Sequence, residues 1–156
     1  MKVQRVYIDT SVVGGCHDEK FAPWSNVLME DFRRGRFRPV VSDVIDADIQ
    51  DAPSEVRHTY FDLLDLEHRF VETTEEAEHL ANTYLKREIL TPNYYDDALH
   101  IALSTVEEVD VLTSWNFKHI VHFDKIRRFN AVNLELGYKQ IEIRTPQEVT
   151  SYGKED

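Results

Sequence analysis

The sequence predicts one α/β domain with a central, mostly parallel sheet of about five strands flanked by helices. Short apolar stretches with the composition of buried strands alternate with longer stretches whose apolar residues recur at helical spacing. The stretch that opens the chain, Val6-Tyr7-Ile8, is apolar on both faces, which is typical of a strand inside a parallel sheet. We assign the domain to residues 1–150 and a polar C-terminal tail to residues 151–156.

The first half of the chain contains two predicted strands and three predicted helices. After the first strand, Gly14-Gly15 is expected to break the chain, and a helix follows from Pro23 to about residue 34. Residues 39–42 are predicted to form a second strand, which Pro39 should limit to starting at that residue. A short helix over residues 45–50 comes next. Pro53 separates it from a helix whose apolar side is Val56, Tyr60, Leu63 and Leu64.

The second half continues the same alternation. A third strand is predicted at residues 70–71, and Thr74 then begins a helix with acidic residues in its first turn. Thr91-Pro92 has the pattern of a helix N-cap with proline at the first helical position. That helix includes residues 96–103. The remaining predicted elements are a strand at 109–113, a helix near 125–133 and a last strand at 141–145.

Length and composition are those of one folded domain. The 156 residues are 42% hydrophobic, which excludes a disordered chain. No stretch reaches the length of a membrane span, and the charged N-terminus does not have the pattern of a signal peptide. The single cysteine, Cys16, indicates a reducing cytoplasm, and we expect a buried or incidental thiol rather than a nucleophile. Cysteine and histidine show no zinc-binding spacing.

Charge is distributed unevenly along the chain. The formal net charge is −11, and twelve acidic residues but only two arginines lie between Asp43 and Glu78. Basic residues concentrate at 33–38 and at 118–128. Each basic cluster is read first as a solvated helix end or an oligomer contact, and second as a track for phosphates.

Four polar residues are placed where a parallel sheet could bring them together. Asp9 follows the first strand, Asp48 lies in the helix after the second, Asp97 lies in the helix before the fourth, and Asn116 follows the fourth. Strand ends and helix starts share one edge of such a sheet. Clustered carboxylates repel each other unless they are protonated or neutralised by a cation. Oxygen ligands favour Mg²⁺ or Mn²⁺. The alternative role for Asp9 is a simple helix cap.

Several motifs occur in an order that resembles a known family. They are Tyr7-Ile8-Asp9-Thr10-Ser11, the segment 41–49, the segment 97–102 (Asp-Ala-Leu-His-Ile-Ala), the segment 112–119 (Leu-Thr-Ser-Trp-Asn-Phe-Lys-His), Gly137-Tyr138 and the segment 143–148. Together they cover nearly the whole chain and resemble the PIN-domain family. This family of metal-dependent nucleases includes the VapC-like toxins of toxin–antitoxin pairs.

The resemblance implies both a fold and an activity. The implied fold is the three-layer PIN-like arrangement. The implied activity is that of an endoribonuclease that hydrolyses RNA phosphodiesters with Mg²⁺ (or Mn²⁺) and leaves a 3′-hydroxyl and a 5′-phosphate. The expected setting is cytoplasmic, away from membranes. The expected partners are the RNA substrate, a small antitoxin protein of a type II pair and a second copy of the chain in a homodimer.

The resemblance also implies roles for individual residues. Asp9, Asp48 and Asp97 match the metal-binding acids, with Thr10 or Ser11 supporting Asp9. Asn116 stands where many members have an aspartate, which puts a second metal site in doubt. Alternatives remain at two of these positions: Asp96 instead of Asp97, and Asp46 or Asp51 instead of Asp48.

Other interpretations stay open at this point. A PIN-like binding module without catalysis would fit Asn116 and the acidic composition. A phosphohydrolase for small molecules would need a glycine-rich phosphate loop, and Gly14-Gly15 is not followed by the lysine and hydroxyl pair of such a loop. His100 and Trp115 are expected to pack, whereas Lys118 and His119 are equally compatible with surface positions and phosphate contacts.

Overall fold

Five parallel strands form the centre of the protein, which the computed structural model describes for residues 2–150. The sheet has the order β3-β2-β1-β4-β5. All neighbouring strands run parallel. The strands are β1 (Gln4–Ile8), β2 (Phe37–Ser42), β3 (Arg69–Val71), β4 (Val111–Thr113) and β5 (Ile143–Arg144). The predicted α/β fold with a parallel sheet is confirmed, and the predicted tail at 151–156 lies outside the described residues.

Eight α-helices of the described chain connect and follow these strands. They are α1 (Thr10–Gly15), α2 (Ala22–Arg33), α3 (Asp43–Ile49), α4 (Ser54–Leu64), α5 (Glu75–Lys86), α6 (Tyr95–Glu107), α7 (Phe123–Glu135) and α8 (Pro146–Val149). Within residues 2–150, no helix is long and apolar enough to cross a membrane.

The strand order reverses direction at β1. From β1 the chain moves to β2 and β3 on one side, and it then returns to β4 and β5 on the other side. Because parallel connections are right-handed, the helices of these two moves lie on opposite faces of the sheet. In open α/β sheets, such a reversal leaves a crevice outside the carboxyl ends of the two strands that flank it, here β1 and β4, and ligands bind there.

Two glycines and a proline behave differently from the sequence prediction. Gly14 and Gly15 do not break the chain, because they form the last turn of α1, which Asp9 caps. The second strand begins at Phe37, so Pro39 lies inside it. Proline has no backbone N–H to donate to a neighbouring strand. β3 pairs with β2 only from Val40 onward, so the edge of β2 that faces β3 has no partner strand at Pro39.

Four other boundaries also differ from the prediction. The helix α3 begins at Asp43, directly after β2. Pro92 starts a separate 3₁₀ turn (Pro92–Tyr94) before α6, and the Thr91 side chain forms no cap. The fourth strand begins at Val111 and not at the predicted residue 109, and the N–H of Val109 donates to the carbonyl of Ser104 in the last turn of α6. The last strand is shortened because the backbone of Ile141 bonds the side-chain amide of Asn130.

Candidate functional site

Asp9 occupies the crevice at the end of β1 and is only 4% exposed. Its carboxylate caps α1 by accepting a hydrogen bond of 3.3 Å from the backbone N–H of Val12. Two hydroxyls also donate to it, Ser11 at 2.5 Å and Ser114 at 2.6 Å. Buried charges need such partners, so these three donors stabilise the carboxylate and fix its orientation. Asp9 is thus a helix cap, and its carboxylate also faces the crevice residues described below.

The two serines connect Asp9 to the loop after β4. The Ser11 hydroxyl accepts from the backbone N–H of Trp115 (2.9 Å), and the Ser114 hydroxyl accepts from that of Asn116 (2.9 Å). Each hydroxyl therefore donates to Asp9 and accepts from the loop. The register of the sheet, which pairs Ile8 with Thr113, brings these segments side by side. Ser11 was predicted to support Asp9, whereas the contact of Ser114 with Asp9 was not predicted.

Asp97 lies in the first turn of α6 and is partly buried. Burial raises the pKa of its carboxyl. His100 acts in the opposite direction, the negative charge of Asp9 raises the pKa further, and the Asn116 side chain lowers it. The net result is a raised pKa. The carboxylates of Asp9 and Asp97 and the amide of Asn116 are therefore near neighbours, whereas the alternative acid Asp96 is exposed.

A buried polar group behind these acids was not identified from the sequence. The Tyr7 hydroxyl bonds the Ser42 hydroxyl at 2.7 Å and Nδ1 of His100 at 2.6 Å. His100 is packed, as expected, but it also joins α6 to β1 through Tyr7. Alternation along a strand puts Tyr7 on the same side as Asp9, which is the sequence signal that could have revealed the contact.

Asp48 lies at the rim of the site. It is exposed, and its carboxylate accepts one hydrogen bond of 2.9 Å from the hydroxyl of Thr10. Of the alternatives, Asp46 accepts a hydrogen bond from Tyr60, which packs α4 against α3, and Asp51 is exposed beyond the end of α3. Asp48 is thus connected to Asp9 through the neighbouring residue Thr10.

The oxygen atoms at the site suit the binding of a hard divalent cation only in part. Carboxylate and amide oxygens are the ligands that Mg²⁺ prefers, and a cation would relieve the repulsion that Asp9 exerts on Asp97. Among residues 2–150, however, no three side chains of aspartate, glutamate, histidine or cysteine are arranged to hold a metal ion. The structure thus brings together a pair of acids with an amide, while the binding of an ion by Asp9, Asp48 and Asp97 stays a prediction.

The loop after Asn116 contains the remaining candidates. Trp115 is buried, as expected, and its indole N–H donates to Ser25 (2.8 Å). Lys118 is exposed, whereas His119 is buried with its ring centroid 3.7 Å from that of Tyr94. Burial lowers the pKa of the His119 imidazole, and the charges of Lys125 and Lys118 lower it further. His119 is therefore not the surface residue that one interpretation expected.

The comparisons with known proteins bear on the fold. A chain of VapBC2 from Rickettsia felis, in a structure bound to a DNA fragment from its promoter, has a TM-score of 0.58 at 11% identity, over 91% of this chain and 98% of that one. VapC20 from Mycobacterium tuberculosis, a sarcin–ricin loop cleaving toxin, has a TM-score of 0.56 at 13% identity, over 88% of this chain and 98% of that one. No family profile and no curated protein matches the sequence. The chain has the fold of VapC toxins, so the resemblance to the PIN-domain family is confirmed at the level of the fold.

Proposed function

We propose that this chain is a metal-dependent endoribonuclease. The observation that carries the proposal is the proximity of Asp9 and Asp97 at the switch point of a VapC-like fold, where the charge of one carboxylate raises the pKa of the other. Two acids in this position are suited to sharing a divalent cation, Mg²⁺ or Mn²⁺. Asp48 is the third acid in the proposal, and Asn116 contributes its amide.

The contacts of Asp9 support a role beyond capping. As a helix cap, a carboxylate needs to accept only one hydrogen bond from a backbone N–H. Asp9 accepts that bond and two more from serine hydroxyls. These donors hold the carboxylate in one orientation before any ligand arrives. When bound, a divalent ion would orient the scissile phosphate, lower the pKa of a water molecule and stabilise charge on the phosphoryl oxygens. Asp48, which is exposed and accepts a hydrogen bond from Thr10, would approach the same ion from the rim.

We further propose that the chain acts as the toxin of a type II toxin–antitoxin pair in the cytoplasm, with RNA as its substrate. The support is the fold shared with two solved VapC toxins. A small antitoxin protein would cover the crevice, and a second copy of the chain would form a homodimer. Co-expression with the protein encoded by the neighbouring gene, followed by size-exclusion chromatography, tests both associations.

A PIN-like module that binds without catalysis is the second candidate. Two observations favour it. Asn116 stands where many members of the resembled family have an aspartate, and among residues 2–150 no three side chains of aspartate, glutamate, histidine or cysteine are placed together to hold a metal ion. Such a module would bind its partner without cleaving RNA.

Metal-dependent cleavage separates the two candidates. The wild-type protein is incubated with single-stranded RNA in Mn²⁺, and the rate is compared with those of Asp9→Asn, Asp97→Asn and Asp96→Asn. Substitution of either principal acid removes a charged oxygen ligand, so we expect a rate lower by at least about 100-fold. Asp96→Asn is the matched control, because it removes the exposed aspartate next to Asp97 on the same helix turn. It should cleave at nearly the wild-type rate.

Two results would contradict the proposal. If the wild type does not cleave RNA in Mn²⁺, the non-catalytic module is the better description. If Asp9→Asn and Asp97→Asn cleave as fast as the wild type, any activity arises elsewhere in the chain.

A further inference from the structure

Four aromatic side chains form a continuous cluster beside the Asp9 site, which we call the aromatic platform: Phe21, Trp24, Trp115 and Phe117. The rings of Phe21 and Trp115 are stacked, with centroids 4.3 Å apart and planes 16° apart. Trp24 contacts Trp115 with centroids 6.1 Å apart. Phe117 lies with its centroid 6.3 Å from those of both Phe21 and Trp115. The platform joins the start of α2, where Phe21 and Trp24 lie, to the loop after β4.

Trp115 is the buried and firmly bonded member of the platform, and Phe117 is its exposed member. Trp115 is 6% exposed, and it is fixed by its indole bond to Ser25 and its backbone bond to Ser11. Phe117, two residues further on, is 50% exposed. Covering the exposed half of this ring would be favourable by about 25 cal/mol for each Å² removed from water. Phe117 is thus held in place by its neighbours while part of its surface remains available.

Hydrogen bonds connect the platform directly to the candidate site. Ser11 donates to the Asp9 carboxylate and accepts from the backbone of Trp115, and Ser114 donates to the same carboxylate and accepts from the backbone of Asn116. Phe117 is the next residue after Asn116. Phe117 therefore belongs to the same loop whose backbone is bonded to Ser11 and Ser114, the hydroxyl partners of Asp9.

Basic side chains flank the platform, although the whole chain carries a net charge of −11 and two exposed acids, Asp18 and Glu19, precede Lys20. The Lys20 ammonium lies 5.3 Å from the centroid of the Phe21 ring. Lys118 is exposed, and the ammonium of Lys125 donates a hydrogen bond of 3.0 Å to the backbone carbonyl of Lys118. Between residues 118 and 128 there are four lysines and arginines and a single acid, Asp124. Positive charge beside an exposed aromatic ring is the combination that binds single-stranded nucleic acids.

We infer that the aromatic platform binds an unpaired base of single-stranded RNA on Phe117, while Lys20 and Lys118 contact the flanking phosphates. This inference rests on the proposed nuclease function and specifies how its substrate is positioned. Stacking on an aromatic ring accepts any base, because every base has a π face. The platform therefore favours unpaired RNA over duplex RNA and does not itself select a base sequence.

Tryptophan fluorescence offers a local reporter of this binding. The chain has two tryptophans, and both belong to the platform. The wild-type protein is titrated with a single-stranded oligoribonucleotide of about 10 nucleotides in EDTA, so that the probe stays intact. We expect quenching of the tryptophan emission. The same oligonucleotide annealed to its complement should bind more weakly.

The variant Phe117→Ala tests the residue itself, with Phe61→Ala as its matched control. Phe61 on α4 is 51% exposed, close to the 50% of Phe117, but it lies in the acidic stretch of the chain. Loss of the stacked ring should weaken binding by at least about fivefold. Phe61→Ala should bind like the wild type, and Phe117→Tyr, which keeps the ring, should restore binding.

Cleavage by the same variants in Mn²⁺ separates the failure of the platform from the failure of the nuclease. If the wild type cleaves and Phe117→Ala raises KM with little change in kcat, both proposals are supported. If Phe117→Ala and Phe61→Ala bind and cleave alike, the platform is wrong and the nuclease stands. Quenching without cleavage supports the platform and contradicts the nuclease. If RNA does not quench the wild type, the platform inference is overturned, and the exposed ring is then available to a protein partner.

Discussion

The two sides of the crevice hold their acids in opposite ways. On the side of β1 and β4, Asp9 is buried and accepts hydrogen bonds from one backbone N–H and two serine hydroxyls. On the side of α3, Asp48 is exposed and accepts one hydrogen bond, from Thr10. The first side is also bordered by the buried indole of Trp115 and the basic loop that follows it, whereas α3 begins the acidic stretch of the chain.

This difference indicates that the position of Asp9 is fixed more firmly than that of Asp48. A buried carboxylate is stable only with its full set of donors, so its position is set by the fold. An exposed carboxylate with one hydroxyl partner keeps its rotamer freedom and is well solvated. We therefore expect substitutions on the β1 and β4 side to have large effects, and substitutions on the α3 side to have small ones.

Gly15→Ala should give the largest effect on stability, because the added methyl group would collide with residues packed on the β1 and β4 side. A Cβ at this position would lie 2.6 Å from the Ser25 hydroxyl and 2.7 Å from the Trp115 indole nitrogen, two atoms that are hydrogen-bonded to each other. We expect a loss of about 3 kcal/mol in the free energy of unfolding. Chemical denaturation followed by tryptophan fluorescence measures it.

Gly14→Ala is the matched control for that substitution. It lies in the same helix turn, and a Cβ there meets nothing within 4 Å. Alanine should raise the free energy of unfolding by about 0.5–1 kcal/mol. If the two variants prove equally stable, the close packing of α1 against Trp115 is wrong.

Ser114→Ala should have an intermediate effect, on ion binding more than on stability. The substitution removes one donor to Asp9 and leaves the N–H of Asn116 without its acceptor. Removal of a group that orients a metal ligand commonly lowers metal affinity 10- to 100-fold. We therefore expect Ser114→Ala to bind Mn²⁺ about 10-fold more weakly. Thr10→Val on the other side, which removes the one donor to Asp48 among residues 2–150, is the comparison. An equal or larger loss in Thr10→Val would reverse the proposed order of the two sides.

Local patterns were sufficient to predict most of the fold. Apolar stretches identified the neighbourhood of all five strands, and the acid after the first strand was correctly placed at the sheet edge. The errors occurred where distant contacts override local preference. Gly14 and Gly15 read locally as a break, but Asp9 caps the turn and Gly15 leaves room for Trp115, 100 residues away in the chain.

The candidate site was less predictable for the same reason. The resemblance to a family named Asp9, Asp97 and Asn116, which the fold brings near each other. The role of Ser114 depends on pairing between β1 and β4, and that of Tyr7 depends on contacts with β2 and α6. Neither partnership follows from spacing along the chain. The exposure of Asp48 is likewise a result of where α3 lies relative to the crevice.

The most direct test of the central claim, that Asp9 and Asp97 form the cation-binding pair, is a calorimetric titration with Mn²⁺. The wild type should bind the ion, and Asp97→Asn should bind it at least about 10-fold more weakly, because a charged ligand is lost. Asp48→Asn should lose only a small part of the affinity. A wild type that does not bind Mn²⁺, or an Asp97→Asn variant that binds as tightly as the wild type, would contradict the claim.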